Sequence, residues 1–152
     1  MDVGARPAVD ADHARLVELF RAATEELRPE KGGAVWARDT DRDGPVRFGL
    51  DDPDSLVVAG FADDVVVGYA LVAATVLADG GRLARVSDVY VDPGFRELGV
   101  GEALLDACVT WAEDNGCFGI EAVVLPGMRE SKNFFEAAGL VARLIVPYKA
   151  LG

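Results

Sequence analysis

Residues 56–92 narrow the choice of fold further than any other stretch. Segments 56–62, 65–77 and 82–92 are rich in valine and aromatic side chains, the composition of pleated, half-buried strands. Asp63-Asp64 separates the first two and Ala78-Asp79-Gly80-Gly81 the next two. Both are turn chemistry, short enough to make hairpins. Pro93 closes the third segment. Three strands joined this way form an antiparallel meander, and the rest of the chain has to cover its faces.

The flanks read differently. After Gly99-Val100-Gly101, apolar residues recur at 104, 105, 108, 111 and 112, one face of a helix. Asn115-Gly116 then supplies a left-handed C-cap. Segment 118–125 reads as a buried strand broken by Pro126-Gly127, 129–138 as a short helix ended by Gly139, and 140–149 as a final strand. Ahead of the meander, Arg6-Pro7-Ala8-Val9 reads as a short first strand. Asp10 stands where an N-cap belongs, before a helical stripe at Leu16, Leu19, Phe20 and Ala23. Arg28-Pro29 ends that helix, because the residue before proline is pushed out of the helical region. Segment 30–54 is rich in Gly, Asp and Arg, with Val35-Trp36-Ala37 as its apolar knot. It reads as a short helix or loop, and a connection of that length in a compact domain is often functional.

The order β-α-(α)-β-β-β-α-β-α-β implies an α/β (α+β) class. The sheet is expected to be mixed and mostly antiparallel, with helices on both faces. A chain of 152 residues, 51% of them apolar, fits a single domain spanning 1–152. Its net charge of -11 argues against non-specific binding to nucleic acid or anionic membrane. That charge suits a cationic substrate, or simply reflects acid-rich composition. No run approaches the ~20 apolar residues of a membrane span, and the first residues lack a signal-peptide pattern. A cytoplasmic location is the expectation. Cys108, Cys117 and the lone His13 give neither a disulfide framework nor metal-ligand spacing, so no metal is expected.

The segment that carries chemistry is Asp92-Pro93-Gly94-Phe95-Arg96-Glu97-Leu98-Gly99-Val100-Gly101. It follows a strand and opens a helix, where unpaired N–H groups and the helix dipole favour an anion. Glycines at 99 and 101 let a phosphate come close. A Walker A loop needs Gly-Lys-Ser/Thr, but Gly101 is followed by Glu102-Ala103. A dinucleotide fingerprint needs a third glycine where Leu104 stands.

The arrangement Arg-x-x-Gly-x-Gly, after a strand ending Val89-Tyr90-Val91-Asp92-Pro93, resembles the acetyl-coenzyme A motif of the GNAT N-acetyltransferases. Arg6-Pro7-Ala8 is similar to that superfamily's opening and Val67-Gly68-Tyr69 to its third strand. Asn133-Phe134-Phe135-Glu136-Ala137-Ala138-Gly139-Leu140 is similar to its last helix and the turn beyond. The resemblance covers most of residues 5–150 and is thinnest over 28–54. It implies a GNAT fold and acetyl-CoA as cosubstrate. It places the N–H groups of Leu98, Gly99, Val100, Gly101 and Glu102 on the pyrophosphate, with Arg96 and Glu97 beside it. It sets the main chain of Val89 and Val91, flanking Tyr90, against the pantetheine arm as an added strand. Asn133 and Phe135 then lie beside the cofactor on the last helix.

Direct transfer to an amine needs a base, an oxyanion donor and a way to protonate the leaving thiolate. The resemblance assigns the oxyanion to the N–H of Val89. Asp88 leads as base and substrate contact, since a carboxylate in an apolar strand needs a task or a partner; pairing with a neighbouring arginine is the other reading. Glu121 is the second candidate. The family's usual tyrosine is Phe135 here, and Ser131, one turn earlier, either orders a proton-donating water or caps its helix. Trp36 either lines the acceptor pocket or plugs the core. The reading is an N-acetyltransferase acting on a small molecule or peptide; the alternative is a weak or inactive GNAT-like acyl-CoA-binding module. Segment 140–150 is short for the family's terminal hairpin. A single strand there leaves a sheet edge open, which a second copy would cover, so a homodimer is a further expectation.

Overall fold

The computed structural model describes residues 1–152. The order is β1 (Val3–Pro7), α1 (His13–Leu27), α2 (Gly33–Asp39), β2 (Ser55–Ala62), β3 (Val65–Val76), β4 (Arg82–Val91), α3 (Val100–Asp114), β5 (Gly119–Ala122) and α4 (Arg129–Ala137). The valine-rich segments form the expected meander, and the sheet runs β1-β2-β3-β4-β5 in space. Its first four strands pair antiparallel, and β5 joins β4 in parallel through the α3 crossover.

Each face is covered by a helix whose apolar stripe was legible in the sequence. Val100, Leu104, Cys108 and Ala112 of α3 bury against Val58, Val67 and Val86. Leu16, Leu19, Phe20 and Ala23 of α1 bury against Val57, Tyr69 and Tyr90 on the other side. At Gly60 a Cβ would lie 2.7 Å from Val100 Cγ1, so the absent side chain lets α3 sit close on β2.

Two irregularities of β4 shape the centre of the sheet. Leu71 pairs with Asp88 and Val72 with Val86, which leaves Ser87 as an extra residue in β4. Such a bulge breaks the alternation of faces. Val86 therefore enters the α3-side core while Tyr90 enters the α1-side core. The pairing of β4 with β5 is also short. It joins Leu83–Val86 to Gly119–Ala122, with one last bond from Val123 N to Val86 O at 3.3 Å.

Three expectations are corrected. Asp10 does not cap α1: a 3-10 turn at Asp10–Asp12 precedes the helix. The anchoring carboxylate is Asp12, which accepts the Val9 N–H at 2.9 Å and Arg6 at 2.7 and 3.0 Å. The strand expected over 118–125 is only four residues long, because its pairing with β4 stops at Val86, next to the Ser87 bulge. The strand expected over 140–149 does not form. Residues 141–152 carry no secondary structure and are exposed, although their composition is strand-like. Strand propensity expresses itself only where a neighbouring strand is in register, and no strand of the chain pairs with this segment.

The Arg6 hydrogen bond holds the Asp12 carboxyl below its ordinary range, against the opposing effect of burial. The folded pKa is depressed, so the stabilisation is present above the unfolded value of about 3.9 and is lost as pH falls through the folded one. Asp12→Asn is expected to lower urea stability at neutral pH. The gap from the parent protein should shrink as pH drops from about 6 to about 2. A gap independent of pH would show that the ion pair is not its source.

Candidate active site

Where β4 and β5 part, a cleft of about 330 Å³ opens. Its floor is the β4 segment from Ser87 to Val91. Glu26 and Leu27 of α1 and Trp36 of α2 stand on one side, and Ser131, Phe134 and Phe135 of α4 on the other. Asp92 N donates to Val67 O of β3. Main-chain direction alternates along an antiparallel strand, so the N–H and C=O groups of Val89 and Val91 face away from β3, into the gap. Arg96 Nε donates to Val91 O at 2.8 Å from that open side.

The loop closing the cleft is built by local chemistry. The Asp92 carboxylate accepts the Gly94 N–H at 3.1 Å, starting a 3-10 turn at Pro93–Phe95. Glu97 and Gly99 are both left-handed, with φ of 65° and 95°. This turns successive amides the same way at the start of α3. None of the main-chain N–H groups from Arg96 to Glu102 has an acceptor in the protein. The first amide to find one is Ala103, which donates to Gly99 O at 3.1 Å. A concave run of free N–H groups at a helix N-terminus is an anion site. Gly101 fixes its other wall: a Cβ there would stand 3.2 Å from the Phe134 ring, so its absence admits α4 against the loop.

Beneath the cleft lies a buried polar network. Asp88 Oδ2 accepts Arg42 at 2.6 Å and the Tyr69 hydroxyl at 2.7 Å, and Oδ1 accepts Arg42 at 3.3 Å. Arg42 Nε donates to Thr24 Oγ1 at 3.1 Å, and the guanidinium sits 3.7 Å from the Phe20 ring centre and 4.3 Å from that of Trp36. The side chains of Arg42 and Asp88 are only 2% and 5% exposed, so the pair is desolvated and every one of its polar groups has to be matched. Burial first, then the Asp88 charge, pushes the Tyr69 hydroxyl well above its ordinary pKa, which keeps it a donor.

The pattern of the Acetyltransferase (GNAT) family matches residues 14–140. The chain belongs to this family. Over 74 residues it is 30% identical to thialysine N-epsilon-acetyltransferase of Bos taurus, a match covering 49% of this chain and 44% of that enzyme. Glucosamine-6-phosphate N-acetyltransferase of Arabidopsis thaliana superposes with a TM-score of 0.71 at 16% identity, covering all of both chains. An aminoglycoside acetyltransferase from an uncultured soil metagenomic sample, solved with sisomicin, superposes at 0.70 and 14% identity, over 99% of this chain and 97% of that one. At these identities the solved structures establish a shared GNAT fold.

Against that fold, most residues singled out from the sequence meet at the cleft. Trp36, Asp88, Val89, Tyr90, Val91, Arg96, Glu97, Gly99, Val100, Gly101, Glu102, Ser131 and Phe135 all line it. Leu98 and Asn133 are exposed and do not line it, although the Leu98 amide belongs to the unpartnered run. Glu121 is also off the wall. It bonds Arg85 at 2.8 Å and Arg143, and Arg143 first and then Arg85 hold its carboxyl below the ordinary range. A carboxylate held by two guanidiniums is a poor proton acceptor. Arg96 donates to Glu26 at 2.9 Å and lies 5.4 Å from the Tyr90 ring centre.

Sequence reasoning passed over Arg42 and Tyr69. Arg42 sits in Asp41-Arg42-Asp43, which reads as a solvated charge run; only the fold reveals that this one residue turns inward. Tyr69 stands opposite Tyr90 in the ladder, where an aromatic pair reads as plain core. The one available signal was Asp88 itself, a carboxylate within an apolar strand, which calls for a partner such as a buried cation.

Arg42→Ala strands the Asp88 charge and is expected to cost about 3–5 kcal/mol in denaturant unfolding. Replacing both partners, Arg42→Met with Asp88→Leu, in a Tyr69→Phe background that removes the hydroxyl otherwise left without an acceptor, should recover most of that loss. Additive losses in the two single variants and the double would contradict the pairing.

Proposed function

We propose that the protein is an N-acetyltransferase moving an acetyl group from acetyl-CoA directly to the amine of a small molecule or peptide. The observation carrying this reading is the run of unpartnered amides from Arg96 to Glu102 at the head of the cleft. These donors fit a diphosphate, and no metal is needed to hold it there. Bound in the cleft, acetyl-CoA supplies a thioester activated toward an amine.

The chain's own groups then have separable tasks. The amides of residues 98–102, with Arg96 and Glu97 flanking them, grip the diphosphate. The main chain of Val89 and Val91 pairs with the pantetheine arm, and Arg96 yields the Val91 carbonyl it now holds. The Val89 N–H donates to the oxyanion as charge develops on it. Phe135, with Asn133 on the rim nearby, packs beside the arm.

Asp88, the base expected from the sequence, is better suited to positioning. Its oxygens already accept three hydrogen bonds, so it fixes Arg42 and, through it, the Trp36 wall of the acceptor side. Glu26 lies on the same wall with one hydrogen-bond partner, Arg96. We assign Glu26 the amine's proton, directly or through a water. Phe135 has no proton to give, but a thiol pKa near ~8.5 makes the thiolate a tolerable leaving group for water or a Ser131-bound water to protonate. The amine acceptor agrees with the names of the relatives, among them a thialysine N-epsilon-acetyltransferase and a glucosamine-6-phosphate N-acetyltransferase.

Phe135 favours a second reading, a module that binds acetyl-CoA without transfer. Titration calorimetry with acetyl-CoA and thiol release over an amine panel separate the two. Saturable binding with thiol release dependent on an amine is expected; binding with no release from any amine selects the module. Gly99→Val forces a β-branched residue to φ 95°, a strain of about 1–3 kcal/mol. It should weaken acetyl-CoA binding about tenfold or more. Undiminished affinity in that variant would show that the loop does not hold the cofactor.

A further inference from the structure

A second cavity, of about 480 Å³, lies beside the cleft. Segment 40–48, which continues from α2, forms one wall, and strands β2, β3 and β4 form the other. Ser87, the bulge residue of β4, lines both cavities, so the two meet at the strand edge that floors the cleft. Phe20, Val46, Phe48 and Val57 give the second cavity an apolar body. A pocket of this make-up takes its selectivity from the few charged groups that converge on it.

Those groups are Arg47, Arg85 and Asp41. Arg47 is exposed and pairs with no carboxylate of the chain. Arg85 shares Glu121 of β5 with Arg143, so two guanidiniums face one carboxylate and a positive charge is left over. Asp41 turns back on its own bend, where its carboxyl carbon lies 2.9 Å from the place a Gly44 Cβ would take. The local balance is Arg47, Arg85 and Arg143 against Asp41 and Glu121, positive in a chain whose net charge is -11. Screening limits the reach of the distant charges to about 8 Å, so the local groups decide. Guanidiniums take carboxylates in a two-pronged geometry, and low-dielectric walls strengthen the attraction. A second cation on the ligand would be repelled. Val89, the oxyanion donor assigned above, and Arg85 are roughly 13 Å apart along β4 at about 3.3 Å per residue. An amine at the first and an anion at the second need several carbons between them.

We infer that the acceptor is a primary amine carrying a carboxylate at the far end of an apolar body, and that Arg47 and Arg85 read that carboxylate. The inference rests on the acyl-transfer reading of the cleft. Transfer leaves the carboxylate unchanged. The amine nitrogen bonds the acetyl carbon, the thioester C–S bond breaks, and the proton the amine loses is matched by the one the thiolate gains.

Two readouts on the full chain test it. Thiol release from acetyl-CoA is measured with ε-aminocaproate, with its carboxamide and with hexanediamine. In kcat/KM the carboxylate is expected to exceed the carboxamide by about tenfold or more, with the diamine poorest. Arg47→Gln should erase that preference through KM, and Arg47→Lys should restore part of it. Arg38→Gln, on α2 and outside both cavities, should leave it intact. Calorimetry with ε-aminocaproate on protein saturated with coenzyme A reads the same subsite without transfer, and Arg47→Gln should weaken that binding about tenfold. A carboxamide or diamine used as well as the carboxylate overturns the inference. So does a preference that survives both Arg47→Gln and Arg85→Gln, or the absence of ε-aminocaproate binding, whether or not other amines release thiol. Binding that depends on Arg47, with no thiol release from any amine, supports the subsite and removes the acyl-transfer reading alone.

Discussion

The site exists because β4 loses its parallel partner halfway along. Up to Val86 the strand is paired on both sides; from Ser87 onward it is paired only with β3. The bulge at Ser87 and the parting of β5 occur at the same level of the sheet. Together they leave the main-chain groups of Val89 and Val91 without a strand partner, in the interior of a sheet where two neighbours would ordinarily satisfy them. Unpaired backbone groups at a cleft floor are costly unless a ligand or water satisfies them. The same strand runs on into the loop at Arg96–Gly101, whose amides are also free. A single break in strand pairing thus aligns two sets of donors along one groove.

The side of the cleft that carries Trp36 depends on a different kind of order. Segment 30–54 packs on the α1-side core through Val46, Phe48 and Leu50, and a polar contact fixes its position over the cleft. Arg42 anchors it by inserting between Phe20 and Trp36 and closing on Asp88 and Thr24, with Tyr69 on the same carboxylate. A buried ion pair contributes little net stability against a well-packed apolar pair, but removing either partner strands a charge, so the two stay together. The pair therefore ties the wall carrying Trp36 to the strand whose open edge floors the cleft. Glu26 and Arg96 form a second, more exposed link between α1 and the loop after β4.

The legible parts of this molecule were those that repeat with a period. The meander, the stripes of α1 and α3 and the glycine loop after β4 all announce themselves through alternation, helical spacing or turn residues. What escaped was set by partners distant in sequence. Arg42 and Asp88 are 46 residues apart; Asp88 in an apolar strand called for a partner, but nothing local marks Arg42 as that partner. Ser87 carries no sign that it is the extra residue of a bulge, although it decides which face Asp88 takes. Segment 140–149 misled for the converse reason. Its composition specifies a strand, but a strand needs an edge, and within one chain that edge is not engaged.

The proposed chemistry of the cleft rests on the free amides after β4 binding the cofactor's diphosphate. Amide chemical shifts followed by NMR during titration with acetyl-CoA read this out residue by residue. The largest saturable shifts are expected at residues 97–102, with a second group at Val89 and Val91, and coenzyme A alone should reproduce the first group. Shifts confined to other parts of the chain, with 97–102 unmoved at saturation, would contradict it.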